Sequence, residues 1–147
     1  MKNFVVLILA MACLGWSNPP LVAQEAENFV VIVHPDNPAE TVTRKRVSQL
    51  LLKEVSRWNG SLSAQPVDLD SSSPVRDAFS RAIHGRSVSS IKNYWQRKIF
   101  SGSAVPPPEV SSDEDAINFV RSNTGAIGYV STRASLDGVK VLEIASK

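Results

Sequence analysis

Three consecutive serines, Ser71, Ser72 and Ser73, stand directly before Pro74, with Asp70 ahead of them and Arg76 two residues past the proline. A serine row at the start of a helix brings its hydroxyls together with the free amides of the first helical turn, at the positive end of the helix dipole. An oxyanion is stabilised at such a place. Arg76 can add a charge-assisted bond to a tetrahedral oxyanion, and Asp70 or Asp68 is the nearest acceptor for a proton that such an anion carries. The same residues also read as an ordinary helix cap, with Arg76 paired to Asp77 or Asp70. Both readings stay open at this point.

Other chemistry finds little footing. His34 lies in a proline-rich loop and His84 near a helix end, and neither has a carboxylate at a spacing that would make it a metal ligand or a triad member. No serine sits in a Gly-x-Ser-x-Gly elbow. Gly125 and Gly128 are spaced like part of a dinucleotide loop, but they follow a helix and enter a strand, the reverse of the required context. The acids of Ser111-Ser112-Asp113-Glu114-Asp115 belong to a capping box. These residues predict no enzyme, no cofactor and no metal site.

Several elements must position the serine row. Phe29 to Val33 is a run of aromatic and β-branched side chains without polar alternation, the pattern of a strand buried on both faces at the centre of a sheet. His34 to Pro38 forces a loop. A helix then starts near Thr41 or Thr43, with Val47, Leu50, Leu51, Val55 and Trp58 on one face, and stops at Asn59-Gly60. Ala64 to Leu69 is extended and, because of Pro66, suits a strand start or an edge.

Ser73-Pro74 opens a second helix with Val75, Ala78, Phe79, Ala82 and Ile83 inward, ended by Gly85. A third runs from Ser87 or Ser89 to Phe100, and Pro106-Pro107-Pro108 forms a rigid spacer. The fourth runs from the acidic capping box to Asn123. Ala126 to Val130 and Val139 to Ile144 read as two closing strands. The order β, α, β, α, α, α, β, β predicts a single α/β domain with a mixed sheet flanked by helices.

Before these elements lie Lys2, the apolar run Phe4 to Gly15 and a turn-forming stretch ending at Ala23, the layout of a signal peptide. Cleavage after Ala23 leaves residues 24–147, or 124 of 147, which is enough for one domain. It also removes Cys13, the lone cysteine, unless that residue anchors the chain as a lipoprotein. The expected location is periplasmic or secreted. Lys2 is the one basic residue lost, so the 16 Lys and Arg become 15 against 14 Asp and Glu, too even a balance for a nucleic-acid footprint. The runs Arg44-Lys45-Arg46 and Arg97-Lys98 then read as solvated helix faces.

The segment Gly125-Ala126-Ile127-Gly128-Tyr129-Val130, after a helix ending in Phe119-Val120-Arg121, resembles the closing motif of phosphate-type substrate-binding proteins of ABC importers. Leu50 to Trp58 with Asn59-Gly60, Pro66-Val67, Arg76 with Phe79, and Trp95 with Phe100 and Gly102 agree in order, so the resemblance spans Phe29 to Leu142. It implies one lobe of a type II periplasmic binding protein, inorganic phosphate or a similar oxyanion as ligand, and a membrane transporter or envelope protein as partner. Two departures weaken the anion site. Only one lobe fits the length, and Leu69-Asp70-Ser71-Ser72-Ser73-Pro74 stands where the family carries Arg-Ser-Asp-Gly-Ser-Gly-Thr. The alternative is an interaction or regulatory module that has kept the fold without the ligand.

Overall fold

The computed structural model describes residues 28–145. The expected signal segment, its cleavage point and Cys13 lie outside the described residues. Two sheets form. The larger has five strands in the order β2-β7-β1-β6-β3, built from β1 (Phe29–Val33), β2 (Thr41–Thr43), β3 (Gln65–Pro66), β6 (Ala126–Ser131) and β7 (Lys140–Ala145). β1 runs antiparallel to both β6 and β7, while β2 and β3 join in parallel, so the sheet is mixed. The smaller sheet pairs β4 (Asp68–Leu69) with β5 (Glu109–Val110) in parallel.

β1 is central, as its unbroken apolar run predicts, and Val31, Ile32 and Val33 are buried. Alternate side chains serve opposite faces. On one face, Phe29 and Tyr129 pack on Phe79 of α2 (Pro74–Phe79), whose ring stacks on Tyr129 with centroids 3.7 Å apart. On the other, Gly128 lies between Ile32 and Val120 of α4 (Asp113–Ser122); an added Cβ would come within 2.8 Å of Val67 and 3.4 Å of Val120. Gly125 is tighter still, since a Cβ there would lie 1.9 Å from the Ser63 carbonyl oxygen. The Gly-Ala-Ile-Gly-Tyr motif is thus a packing device of the central strand pair.

The hydroxyl caps behave as their sequence predicts: Thr43, Ser73, Ser87 and Ser112 each accept a backbone N–H at the start of a helix. α1 (Arg44–Leu51) ends well before Asn59-Gly60, however. Lys53 takes a left-handed conformation (φ 52°), and the chain folds back through a bridge between Arg57 and Ser63. Trp58 leaves the helix face and donates its indole N–H to the Gly125 carbonyl, 2.9 Å away. The Ala64 to Leu69 segment splits at Val67, with Pro66 on the sheet edge as expected and β4 pairing with a strand, β5, that the sequence does not announce.

The second helix changes character midway. After α2 it continues as a π turn over Ser80–His84 and is released by Gly85, which is left-handed (φ 65°). α3 (Val88–Phe100) packs Ile91 and Trp95 against Leu52 at the end of α1, and its Tyr94 hydroxyl donates to the Leu52 carbonyl at 3.0 Å. Among the described residues no helix is long and apolar enough to cross a membrane.

Candidate functional site

The junction between β4 and α2 carries all five residues singled out from the sequence. Their hydrogen bonds divide them into an exposed rim and a buried base. On the rim, Asp70 is exposed and its Oδ1 accepts both the amide and the hydroxyl of Ser72, each at 2.7 Å. Those two bonds, the hydroxyl first, hold the Asp70 carboxyl below the usual carboxylate range, and the fields of Arg76 and Lys92 act in the same direction. Ser73 accepts the Arg76 amide at 3.3 Å as the N-cap. Ser71 is exposed, and its hydroxyl has no hydrogen-bond partner among the described residues.

The base is an ionic knot. Arg76 is 3% exposed, and its guanidinium turns inward. It meets Asp68 Oδ2 at 3.1 Å and Glu109 Oε1 at 2.6 Å, and donates to the Leu69 carbonyl at 2.6 Å. Asp68 is itself buried and accepts the Tyr129 hydroxyl on Oδ1. Burial pushes the Asp68 carboxyl up against the pull of Arg76 and Tyr129. Burial also opposes the charge on Arg76, but Asp68 and Glu109 outweigh it and move its pKa up. Burial and the Asp68 charge keep the Tyr129 phenol protonated.

This geometry answers the pairing left open by the sequence. Arg76 pairs with neither Asp77 nor Asp70; Asp77 pairs instead with Arg81 at 2.9 Å. Asp68 spends both oxygens inside the fold, so of the two acceptor candidates Asp70 alone faces solvent. The guanidinium belongs to the wall beneath the serines, where it ties the end of β4 to β5, and its partner Asp68 carries the link on to Tyr129 of β6. The acidic start of α4 does a similar structural job: Ser112 caps the Asp115 amide and Asp113 accepts the Ser131 amide.

Glu109, Tyr129 and Lys92 complete the junction without having been singled out as site residues. Glu109 reaches Arg76 across 33 residues and carries no local signal, because β5 is only two residues long. Tyr129 was visible as part of the closing motif, but its hydroxyl partner was not. Lys92 lies about one turn into α3, and only the packing of that helix beside the junction brings its field to Asp70.

Neither a protein-family model nor a curated protein sequence matches the chain. Solved structures do match its fold. An ABC-type phosphate transport receptor from Vibrio cholerae superposes with a TM-score of 0.65 at 18% identity, over 82% of this chain and 47% of that one. A protein from Clostridium perfringens whose structure contains bound phosphate gives 0.65 at 19% identity, over 80% of this chain and 45% of that one. PstS from Borrelia burgdorferi gives 0.58 at 21%, over 82% and 48%. The chain therefore has the α/β fold of one lobe of phosphate-type periplasmic binding proteins and spans about half the length of these structures.

Proposed function

We propose that the protein is a solute-binding-type module, working outside the cytoplasm, that takes phosphate or a similar oxyanion at the β4–α2 junction through Ser71, Ser72 and Ser73. The observation that carries this reading is the pair of 2.7 Å bonds from Ser72 to one oxygen of Asp70. The loop already has the shape that holds an oxyanion oxygen. Asp70 is the resident competitor: it is exposed, and rotation about its side chain hands the Ser72 donors to an incoming anion, with Ser71 and Ser73 adding their hydroxyls. Arg76 acts from below as a positioning residue and supplies positive field. The names of the fold neighbours, phosphate transport receptors, support the ligand class and point to an ABC transporter as partner.

Affinity is weak on this reading. The site lies on the open face of a single lobe, where exposed charge contacts contribute only about 0 to 1 kcal/mol each. The test is a melting series at matched ionic strength in millimolar phosphate, sulfate and chloride. A ligand that binds the folded state alone raises stability by RT ln(1 + [L]/Kd). Phosphate should raise the melting temperature, Asp70→Asn should enlarge that shift, and the triple Ser71, Ser72, Ser73→Ala variant should abolish it. An equal shift with the serines replaced sinks the proposal. A smaller shift in Asp70→Asn for phosphate but not sulfate would instead make Asp70 the acceptor of the phosphate proton.

A second reading, a docking module, rests on a different observation. Residues 78–108 carry Arg81, Arg86, Lys92, Arg97 and Lys98 and no acid. The same stretch exposes Ile99, Phe100 and Val105, with Phe100 at 90%. Exposed apolar side chains next to Arg97 and Lys98, in a stretch without acids, suit an anionic bilayer surface. Under this reading the full chain sediments with vesicles containing phosphatidylglycerol, and Phe100→Ser weakens that binding about tenfold, the loss expected from one buried aromatic side chain. Unchanged sedimentation of Phe100→Ser would exclude it.

A further inference from the structure

Away from the serine junction, a cleft of about 370 Å³ opens between α1 and the π turn. Arg44 and Lys45 enter it from the first turn of α1, Arg86 from just beyond the π turn, and Ser48 and His84 form its floor; Glu54 is the acid in the lining. Three cations against one acid leave an uncompensated positive charge of about two, focused in a concavity. The side chains of Lys45 and Arg86 have no hydrogen bond or ion pair among the described residues. That is the reverse of the serine junction, where the arginine is spent. Arg44 is held by its Nε bond to the Ile83 carbonyl at 3.3 Å, which leaves its terminal nitrogens for other work.

The floor adds direction. Ser48 Oγ lies 2.8 Å from His84 Nδ1, and the His84 ring stands edge-on to Phe79 with centroids 5.3 Å apart. Burial first, then the fields of Arg86 and Arg76, push the imidazole down to about 4, so it is neutral at pH 7. When the serine hydroxyl donates to Nδ1, the Nε2 proton is a fixed neutral donor. The π turn creates this arrangement. Its wider winding, rare and frequent at functional sites, sets His84 against α1 while the Ile83 carbonyl faces Arg44. Leu52 and Ile83 supply an apolar wall.

We propose that this cleft binds a small polyanion, a molecule carrying two or more phosphoryl groups or their charge equivalent, with Arg44, Lys45 and Arg86 as its cationic clamp and the Ser48–His84 pair as its directional donor. Size and charge decide the class. The cavity is at the lower end of the range for small-molecule sites, about 300 to 1,000 Å³, and larger than one orthophosphate needs. Its charge matches a dianion or trianion, and arginine forks favour phosphoryl oxygens. The proposal does not depend on the serine junction.

Inorganic pyrophosphate is the probe, titrated into the full chain with imidazole NMR as the readout and sulfate at equal ionic strength as the control. The chain has two histidines, so a His34→Gln variant assigns the His84 signals. Pyrophosphate should shift the His84 resonances and raise the midpoint of the ring's titration from about 4, because a nearby anion stabilises the imidazolium. Lys45→Ala and Arg86→Ala should each weaken binding about tenfold, the usual loss for one hydrogen bond to a charged group. The triple serine-to-alanine variant should give the same His84 response as the parent, which separates the cleft from the serine junction. No His84 response to millimolar pyrophosphate, an equal response to sulfate, or unchanged affinity in Lys45→Ala and Arg86→Ala would overturn the proposal.

Discussion

The β4–α2 junction and the α1–π-turn cleft are both rich in polar and charged side chains, but folding has treated them in opposite ways. At the junction, Arg76 has three partners and Ser72 two bonds to a neighbouring carboxylate, so the polar groups hold the protein together. In the cleft, Lys45 and Arg86 hold nothing among the described residues. A charge left without an internal partner costs little at a wet surface and can be retained for a ligand. A charge buried in a knot is structural first.

Arg76 offers the largest test of that contrast. Arg76→Leu leaves Asp68 charged and buried without its partner, and we expect a loss of about 3 to 5 kcal/mol in chemical denaturation. Adding Asp68→Asn should recover part of it, because the uncompensated charge goes. A loss under about 1 kcal/mol for Arg76→Leu would mean that the guanidinium is not committed to the fold and that junction and cleft do not differ in this way.

The pH dependence of His84 comes next. Its folded pKa, about 4, lies below the unfolded value of 6.5. Between those values the unfolded chain takes up a proton that the folded one refuses, so stability is full above pH 6.5 and falls as pH drops towards 4. The loss attributable to His84 is about 2 to 3 kcal/mol. Denaturation midpoints of the parent and His84→Gln, compared across that window, isolate it from the carboxylates. Parallel curves would remove the buried floor from the cleft.

Smaller effects follow along the serine row and in the clamp. Ser73→Ala should cost about 1 kcal/mol as a lost N-cap, whereas Ser71→Ala and Ser72→Ala, both exposed, should stay within about 0.5 kcal/mol. Lys45→Ala and Arg86→Ala should be nearly neutral in melting while changing anion binding. A clear destabilisation by either would show that these cations carry structural load, as Arg76 does.

The sequence shows the frame of the molecule well where signals are local. The apolar run of β1, the Ser-Pro start of α2, the stripe of α3 and the capping box of α4 each lie within a few residues of what they specify. The failures are all non-local. Val55 and Trp58 continue the periodicity of α1, yet Trp58 answers to Gly125, 67 residues away. Nothing in Ser80 to His84 forecasts π winding, and the meeting of His84 with Ser48 of α1 joins residues 36 apart in the chain. The candidate junction was legible as a place, because caps and helix starts are written locally, but the inward turn of Arg76 depends on Glu109 in a two-residue strand. The basic run Arg44-Lys45-Arg46 reads as a solvated helix face; its meeting with Arg86, some forty residues later, is a product of the tertiary fold.

The central place of β1 also sets a timetable. Val31 pairs with Tyr129 on one side and Leu142 on the other, so the first strand of the sheet cannot be completed until the last ones exist. β1 must therefore wait for strands about a hundred residues further along the chain before the core can close, and contacts of such long sequence separation form slowly. The C-terminal strand acts as the latch, and removing residues 139–147 should leave a chain that cannot complete its fold.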